Sequence, residues 1–277
     1  MKRILGVSSG CFLHRGNGYV APLPIPEELK SCWFELQVER GYSFEDFEKI
    51  ISIHLPFREY HPVIRGGNRI FLEGRSINIA TLDSSLRRKW LSSFKNVLSD
   101  AASRGVLAAV LHYGGCDCNG SARLDENHRL LHWEAEKSFL KELSRHCENL
   151  GVLLLVENHP YDDSIFLSHF KHVVSIINEG LAAFCLDLPH AYYREVKMGD
   201  VSLKEYVRHL KNHILEVHLA DNNGVDHAPL PLGEGRIDFN FVFNSLTKTR
   251  FFIVELRENP AYSIKVAERY MKKAKEG

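Results

Sequence analysis

The sequence predicts an α/β fold: a closed (β/α)8 barrel, or TIM barrel, in which eight parallel strands alternate with helices. Short apolar runs alternate with longer amphipathic stretches, and eight such runs can be counted. The chain has 277 residues, close to the ~250 residues typical of this barrel. Because no linker, repeat or shift in composition divides the chain, we expect one domain over residues 1–277 rather than two small ones.

Each predicted strand is nearly continuous in apolar residues, as expected for a sheet that is buried on both faces. In chain order the predicted strands are residues 3–8, 32–38, 51–55, 107–112, 152–157, 182–187, 214–219 and 251–256. Between them, residues 85–105 and 130–151 place apolar side chains at three- and four-residue spacing and end at a glycine. These two stretches are predicted to be helices of the outer ring.

Composition and charge argue against several classes of function. The 35 basic residues balance the 35 acidic residues, so no global positive field attracts nucleic acid or an anionic membrane. The six cysteines are scattered, as is usual in a reducing cytoplasm. The N-terminal apolar stretch is too short for a signal peptide, and no stretch approaches the ~20 apolar residues that span a bilayer. We expect a cytoplasmic protein without a membrane partner, and the sequence leaves its oligomeric state open.

Several predicted strands end in a side chain that can bind a metal ion. These side chains are His54, His112, Glu157, Asp187, His218 and Glu255. The carboxyl ends of barrel strands meet at one rim, so the side chains are expected to converge on one mouth. Carboxylates buried there without a cation would be unpaired at a high energetic cost. The pattern therefore predicts a divalent metal site, and imidazole with carboxylate ligands accepts zinc or manganese.

Two segments beyond the strands add candidate ligands. His190 follows Asp187 by about one helical turn, so both side chains can face the mouth. The loop after the seventh predicted strand contains Asp226 and His227, and we expect this loop to cover the site. In the same loop, Asp221 suits an Asx turn and a contact with substrate or metal equally well.

Three segments resemble the xylose-isomerase-like TIM-barrel superfamily, which includes sugar-phosphate isomerases and epimerases and the endonuclease IV type of apurinic-site nuclease. The segments are VENHP, CLDLPHAYY and VHLADNNGVDHAPLPLGEGRIDF, and the resemblance extends over nearly the whole chain. It implies one core ion held by Glu157, Asp187, His218 and Glu255, with His190 contacting substrate. The nuclease pattern, which holds three zinc ions, would add His54, His112, His190, Asp226 and His227. One to three ions are therefore expected.

The resemblance leaves three functions open. In an isomerase or epimerase acting on a small sugar or sugar phosphate, a metal-stabilised enediolate would form, with Glu157 and Glu255 as acid and base and His190 gripping a hydroxyl. In a polynuclear zinc phosphodiesterase acting on abasic DNA, His54 and His112 would also find a use. A non-catalytic sugar-binding barrel would not need two opposed glutamates.

We favour the isomerase or epimerase over the nuclease because the chain lacks features that face DNA and has a neutral charge balance, and it also departs from the nuclease pattern. The first strand, ILGVSSGCF, lacks the histidine that the nucleases usually carry there. No segment resembles a nuclease loop that penetrates DNA, and the neutral charge does not favour DNA binding. In addition, the aspartate and histidine of the covering loop are adjacent here, whereas one residue separates them in the nucleases.

Overall fold

The computed structural model describes residues 3–38, 42–65, 68–111, 114, 126–160, 165–199 and 201–276. In this part of the chain the strands are β1 (Ile4–Ser8), β2 (Leu13–Gly16), β3 (Tyr19–Pro22), β4 (Trp33–Gln37), β5 (Ile50–His54), β6 (Arg58–Arg65), β7 (Asn68–Ser76), β8 (Ala108–Leu111), β9 (Leu153–Glu157), β10 (Ala183–Asp187), β11 (Ile214–Leu219) and β12 (Phe251–Val254). The α-helices are α1 (Ser84–Ser103), α2 (Glu126–Leu150), α3 (Phe170–Asn178), α4 (Leu188–Met198), α5 (Leu203–Leu210), α6 (Phe239–Ser245) and α7 (Pro260–Glu276).

Eight parallel strands form the closed barrel that the sequence predicts. Their order around the barrel is β1, β12, β11, β10, β9, β8, β5 and β4, and β4 pairs with β1 to close it. Each predicted run coincides with one barrel strand, and the bounds differ by two residues at most. The prediction of the fold is confirmed. The largest buried cluster includes residues of both strands and helices, as in Phe94 and Phe139 on α1 and α2 and Val156 on β9.

The two most clearly predicted helices are also present. Asp83 caps the start of α1, where its Oδ1 accepts hydrogen bonds from the backbone N–H groups of Ser85 and Leu86. Gly105 and Gly151, just past α1 and α2, have φ values of 79° and 70°, a left-handed conformation that favours glycine and stops a helix. None of the described helices combines the length and apolar character that crossing a membrane requires.

A second, antiparallel sheet was not predicted. It has the order β2, β3, β7, β6, and its strands come from two insertions, one after β1 and one after β5. In the first insertion, Gly16 pairs with Tyr19 across the turn Asn17–Gly18, a dipeptide typical of tight hairpins. Because both insertions leave from carboxyl ends of barrel strands, this sheet stands at the rim where the candidate site is expected.

A buried carboxyl lies beneath the same rim. Glu136 on α2 is fully buried, and neither of its carboxylate oxygens has a hydrogen-bond partner among the described residues. A Cβ atom at Gly114, just past β8, would collide with Oε2 of Glu136, so the close approach of the backbone requires glycine there. Burial raises the pKa of Glu136 to about 8.

This raised pKa predicts a pH-dependent stability. The folded state holds the Glu136 proton more tightly than the unfolded chain, in which the pKa is near 4.5. The contribution of protonated Glu136 to the free energy of unfolding is therefore complete below pH ~4.5 and is lost as the pH rises to about 8. Glu136→Gln should abolish this loss, so that the variant gains on the order of a few kcal/mol over the wild type between pH 5 and pH 8. Urea unfolding across this range measures the effect. The matched control is Glu148→Gln, an exposed position of the same helix, and equal pH slopes in all three proteins would contradict the prediction.

Candidate metal centre and active site

His218 on β11 lies at the centre of the candidate site. Its Nδ1 atom is 2.9 Å from Oε2 of Glu255 and 3.5 Å from Oε2 of Glu157. The same atom is 3.8 Å from Oδ2 of Asp187. The ring is fully buried, and Nδ1 has no hydrogen bond of acceptable geometry among the described residues. One imidazole nitrogen therefore faces three carboxylates that come from three other strands.

The barrel register explains this convergence. Asp187, the last residue of β10, is the register partner of His218, and Glu157 at the end of β9 is the partner of Cys185 on β10. Glu255 directly follows β12, and its backbone N–H donates to the carbonyl of Leu219 on β11. Parallel strands thus deliver their terminal side chains to one rim, as predicted from the positions of these residues in their runs.

Glu35 holds the opposite side of the His218 ring. Its Oε2 atom is 3.1 Å from Nε2 of His218, and both side chains are fully buried. The carboxylate accepts a hydrogen bond from Nε2–H, so an incoming metal ion would displace the proton on Nδ1, the nitrogen that faces the three carboxylates. Metal-binding histidines usually have this carboxylate contact on their second nitrogen. The arrangement therefore prepares His218 to act as a ligand.

Neither Glu35 nor its buried neighbour Glu216 was predicted from the sequence. Oε1 of Glu216 lies 3.6 Å from Nε2 of His218 and accepts a hydrogen bond from the Ser52 hydroxyl. Burial raises the pKa of Glu216 to about 7. The sequence did contain a signal for Glu216, because side chains along a strand alternate between its two faces. Glu216 precedes His218 by two residues, so both side chains face the barrel interior. A glutamate in the middle of an apolar strand marks such an inward position.

The donor set fits a divalent ion. Ligand atoms of Asp187, His218 and Glu255 lie within 4.8 Å of one another, and so do those of Glu157, Asp187 and His190. Carboxylate oxygens and one imidazole nitrogen are ligands that zinc and manganese both accept. The unpartnered Nδ1 of His218 is the atom that such an ion would satisfy. The two groups share Asp187, so a second ion would adjoin the first.

His190 joins the site from the first turns of α4. Asp187 caps this helix, since its Oδ1 accepts a hydrogen bond from the His190 backbone N–H at 2.6 Å. Nδ1 of His190 lies 3.3 Å from Oε1 of Glu157 and 3.4 Å from Oδ1 of Asp187. Burial opposes protonation of the ring, but the charges of Asp187 and Glu157 outweigh it and raise the pKa of His190 to about 9.

His54 is also brought to the cluster, at the end of β5. Its Nε2 lies 3.2 Å from Oε2 of Glu157, and its Nδ1 lies 3.0 Å from the Leu55 carbonyl oxygen. Glu157 therefore contacts the imidazoles of His54, His190 and His218. This carboxylate is the connecting element of the whole site.

The carboxylates differ in their proton affinity. Burial raises the pKa of Asp187 to about 6. Burial also opposes ionisation of Glu255, but the positive charge of the nearby His218 ring outweighs it and lowers the pKa of Glu255 to about 2. Gln37 supports Glu255 through a 3.1 Å hydrogen bond from Nε2 to Oε1. Asn158 supports Asp187 by exchanging two hydrogen bonds with its backbone.

The remaining predicted ligands lie in the loop after β11 or outside the described residues. His227 lines the cavity above the cluster. Asp226 is exposed, is not among the residues that line this cavity, and accepts a hydrogen bond from the Ala228 backbone N–H. The structure therefore brings His227 toward the site but not Asp226. His112 lies outside the described residues.

Asp221 stabilises the loop through hydrogen bonds to its backbone, which is the turn-forming role of the two roles expected for it. It is buried, and its carboxylate accepts hydrogen bonds from the backbone N–H groups of Asn222, Gly233 and Ile237. A Cβ atom at Gly235 would collide with Oδ1 of Asp221. These contacts fix the loop that carries His227.

A cavity of about 670 Å³ opens above the cluster, a size that suits a small-molecule ligand. His54, Glu157, Asp187, His190 and Glu255 contribute to its lining. The other lining residues come from the second sheet and from the loops that follow barrel strands; they include Arg15, Phe57, His159, His227, Arg257 and Glu258. A small ligand in this cavity would reach the candidate metal ligands directly.

Solved structures with the same fold cover nearly the whole chain. A D-tagatose 3-epimerase-like protein superposes with a TM-score of 0.74 at 19% identity, over 99% of this chain and 98% of the other. An L-ribulose 3-epimerase gives a TM-score of 0.66 at 14% identity, over 100% and 96% of the two chains. The IolI protein, solved with a bound zinc atom, gives 0.65 at 15% identity, over 98% and 97%. These similarities show the barrel fold.

Sequence comparison gives the family. The chain is 25% identical over 254 residues to an uncharacterized protein of Methanocaldococcus jannaschii, covering 88% of each chain. A family model described as xylose isomerase-like TIM barrel matches residues 40–274, which include every strand of the barrel from β5 to β12 and all of the candidate ligands. This chain therefore belongs to the xylose isomerase-like TIM barrel family.

Proposed function

We propose that this protein is a divalent-metal-dependent isomerase or epimerase that acts on a small sugar or sugar phosphate. The observation that carries the proposal is the convergence of three carboxylates on Nδ1 of His218, at the base of a cavity of small-molecule size. Structures of similar fold include an L-ribulose 3-epimerase and a D-tagatose 3-epimerase-like protein, which supports a sugar substrate.

Glu157, Asp187, His218 and Glu255 would hold the ion. When bound, it would polarise a carbonyl and the neighbouring hydroxyl of the substrate and stabilise the negative charge that develops as the carbon between them loses its proton. The zinc atom in the structure of IolI supports zinc as one suitable metal. The adjoining group of Glu157, Asp187 and His190 would admit a second ion.

Two glutamates are placed to move the proton. Glu157 and Glu255 stand at the ends of β9 and β12, which β10 and β11 separate in the barrel. They can therefore approach a bound sugar from different sides, so that one removes the proton and the other returns it. Glu255, with its lowered pKa, is ionised at neutral pH. His190 lines the same cavity, with its Nδ1 3.3 Å from Oε1 of Glu157, and would donate a hydrogen bond to a substrate hydroxyl.

A polynuclear phosphodiesterase of the endonuclease IV type is the second candidate. The observation in its favour is that His54 and His190 both contact Glu157, which exceeds what a single core ion needs. A phosphodiesterase would use these histidines to hold additional zinc. The non-catalytic sugar-binding barrel would leave the opposed pair, Glu157 and Glu255, without a role.

Metal content and two assays separate these functions. We expect one tightly bound ion per chain and exchange of the α-proton of a ketose in deuterated water, detected by NMR. Protein from which a chelator has removed the metal is the control, and it should not exchange the α-proton of the ketose. Two or three zinc ions with cleavage of abasic-site DNA would instead establish the phosphodiesterase, and sugar binding without exchange would establish the non-catalytic barrel. His112→Ala should leave the isomerase nearly unchanged, whereas it should remove one ion from the phosphodiesterase.

A further inference from the structure

Two arginines stand at the mouth of the cavity without a counter-charge. Arg15 on β2 and Arg257, two residues past Glu255, both line the cavity. Neither side chain forms an ion pair or a hydrogen bond with any described residue. Arg58 of the same second sheet, by contrast, is paired: its Nη1 lies 3.7 Å from Oε2 of Glu73. The guanidinium groups of Arg15 and Arg257 are therefore available to a ligand in the cavity.

The barrel topology places these two arginines on the same side of the mouth. β1 is the neighbour of β12 in the barrel. Arg15 belongs to the hairpin that follows β1, and Arg257 belongs to the segment that follows β12. The two side chains therefore enter the same cavity from neighbouring segments of the rim.

Glu258 lines the same cavity but does not neutralise the pair. It is adjacent to Arg257 in sequence, yet no oxygen of Glu258 lies within ion-pair distance of either arginine among the described contacts. Two guanidinium groups that converge on a cavity and lack a protein counter-charge form a fork for an oxyanion, because guanidinium binds phosphate and carboxylate through paired N–H donors.

We infer that the substrate of this protein carries an oxyanion, a phosphate or a carboxylate, which Arg15 and Arg257 bind while the reacting carbons lie over the carboxylate cluster. This inference rests on the proposed isomerase or epimerase function and names its substrate class. The two ends of such a substrate would lie in different parts of the cavity. The two arginines belong to the second sheet and to the loop after β12, whereas the candidate metal ligands lie at the ends of the barrel strands.

Paired substrates test the inference in the metal-loaded enzyme. D-ribulose 5-phosphate should exchange its α-proton with a kcat/KM at least ~30-fold above that of D-ribulose, since one charge-assisted bidentate contact supports a difference of this order. The double variant Arg15→Ala/Arg257→Ala should bring this ratio close to one. Arg58→Ala, in the same sheet but paired with Glu73, is the matched control and should leave the ratio unchanged. D-fructuronate carries a carboxylate instead of a phosphate. A higher kcat/KM for D-fructuronate than for D-ribulose would support the inference, with a carboxylate as the anion.

Binding of inorganic phosphate to the metal-free protein gives a readout that does not require activity. Calorimetry should show at least ~10-fold weaker phosphate binding in the double variant. Glu258→Gln should strengthen phosphate binding, because it removes a negative charge from the mouth of the cavity. Damage to the fold would weaken phosphate binding, so it would not produce this result.

The outcomes separate this inference from the proposed function. Equal exchange of D-ribulose and its 5-phosphate, or phosphate binding that the double variant leaves unchanged, would overturn the inference while the isomerase proposal stands. If no ketose exchanges but phosphate binding depends on both arginines, the anion site stands and the proposed reaction fails. Loss of abasic-DNA cleavage in the double variant, without a change in phosphate binding, would also overturn the inference.

Discussion

Glu157→Gln is expected to lower kcat by about 10³-fold and to deplete the bound metal ion. The reason is the central position of this carboxylate. Its Oε2 lies 3.2 Å from Nε2 of His54 and 3.5 Å from Nδ1 of His218, and its Oε1 lies 3.3 Å from Nδ1 of His190. Glutamine keeps the shape of the side chain but removes the negative charge that both a cation and a proton transfer require.

Metal content by mass spectrometry and proton exchange of a ketose measure the two effects separately. Glu148→Gln makes the same chemical change at an exposed position of α2 and should match the wild type. Circular dichroism establishes whether the barrel is folded. A folded Glu157→Gln variant with wild-type metal content and wild-type exchange would show that the cluster is not the active site.

Glu35→Ala is expected to weaken metal binding by about 10- to 100-fold, although Glu35 need not touch the ion. Its carboxylate is the 3.1 Å partner of Nε2 of His218. Without it, the ring loses the contact that would keep its proton on Nε2 when Nδ1 binds the ion. Glu35→Gln should fall between alanine and wild type, because the amide oxygen still accepts the hydrogen bond but carries no charge.

Competition with a chelator measures the metal affinity without any substrate. Glu216→Gln is the matched comparison within the same buried layer. Glu216 lies farther from the ring, at 3.6 Å, and its raised pKa of about 7 means that a neutral amide resembles its protonated form. Its effect should be smaller than that of Glu35→Gln. The positioning role of Glu35 would be refuted if Glu35→Ala bound metal as tightly as the wild type, or if Glu216→Gln were the weaker binder.

The barrel could be predicted because its strands are local patterns. Runs such as residues 153–156 and 183–186 are apolar over their whole length, and this pattern is expected only when a sheet is covered on both faces. Helix ends such as Gly105 and Gly151 are local as well. Each of these signals lies within about twenty consecutive residues, so no knowledge of distant contacts was needed.

The second sheet was missed for the opposite reason. Its exposed residues, such as Ile64 and Leu72, break the alternation that identifies a half-buried strand. Its pairing also joins two insertions that are far apart in the chain, since Val20 of the first insertion is the partner of Phe71 in the second. The Asn17–Gly18 turn was the one local signal for the first hairpin.

The residues of the candidate site also fall into those that a local pattern identifies and those that depend on distant contacts. His54, Glu157, Asp187 and His218 were selected because each ends an apolar run, and in the structure they lie together. Glu35 was not selected, because its importance depends on a partner 183 residues away. Asp226 was selected from its loop motif, but the folded loop directs it to solvent.

By itself, the sequence determined the fold class, the order of the barrel strands along the chain and the side chains that stand at their ends. These properties follow from hydrophobic periodicity, which each segment carries locally. Only the tertiary structure decided which nitrogen of His218 faces the carboxylates, which buried glutamate holds its other side and which arginines remain unpaired at the cavity. Such properties depend on distances between atoms of remote segments, and those distances exist only after the barrel has closed.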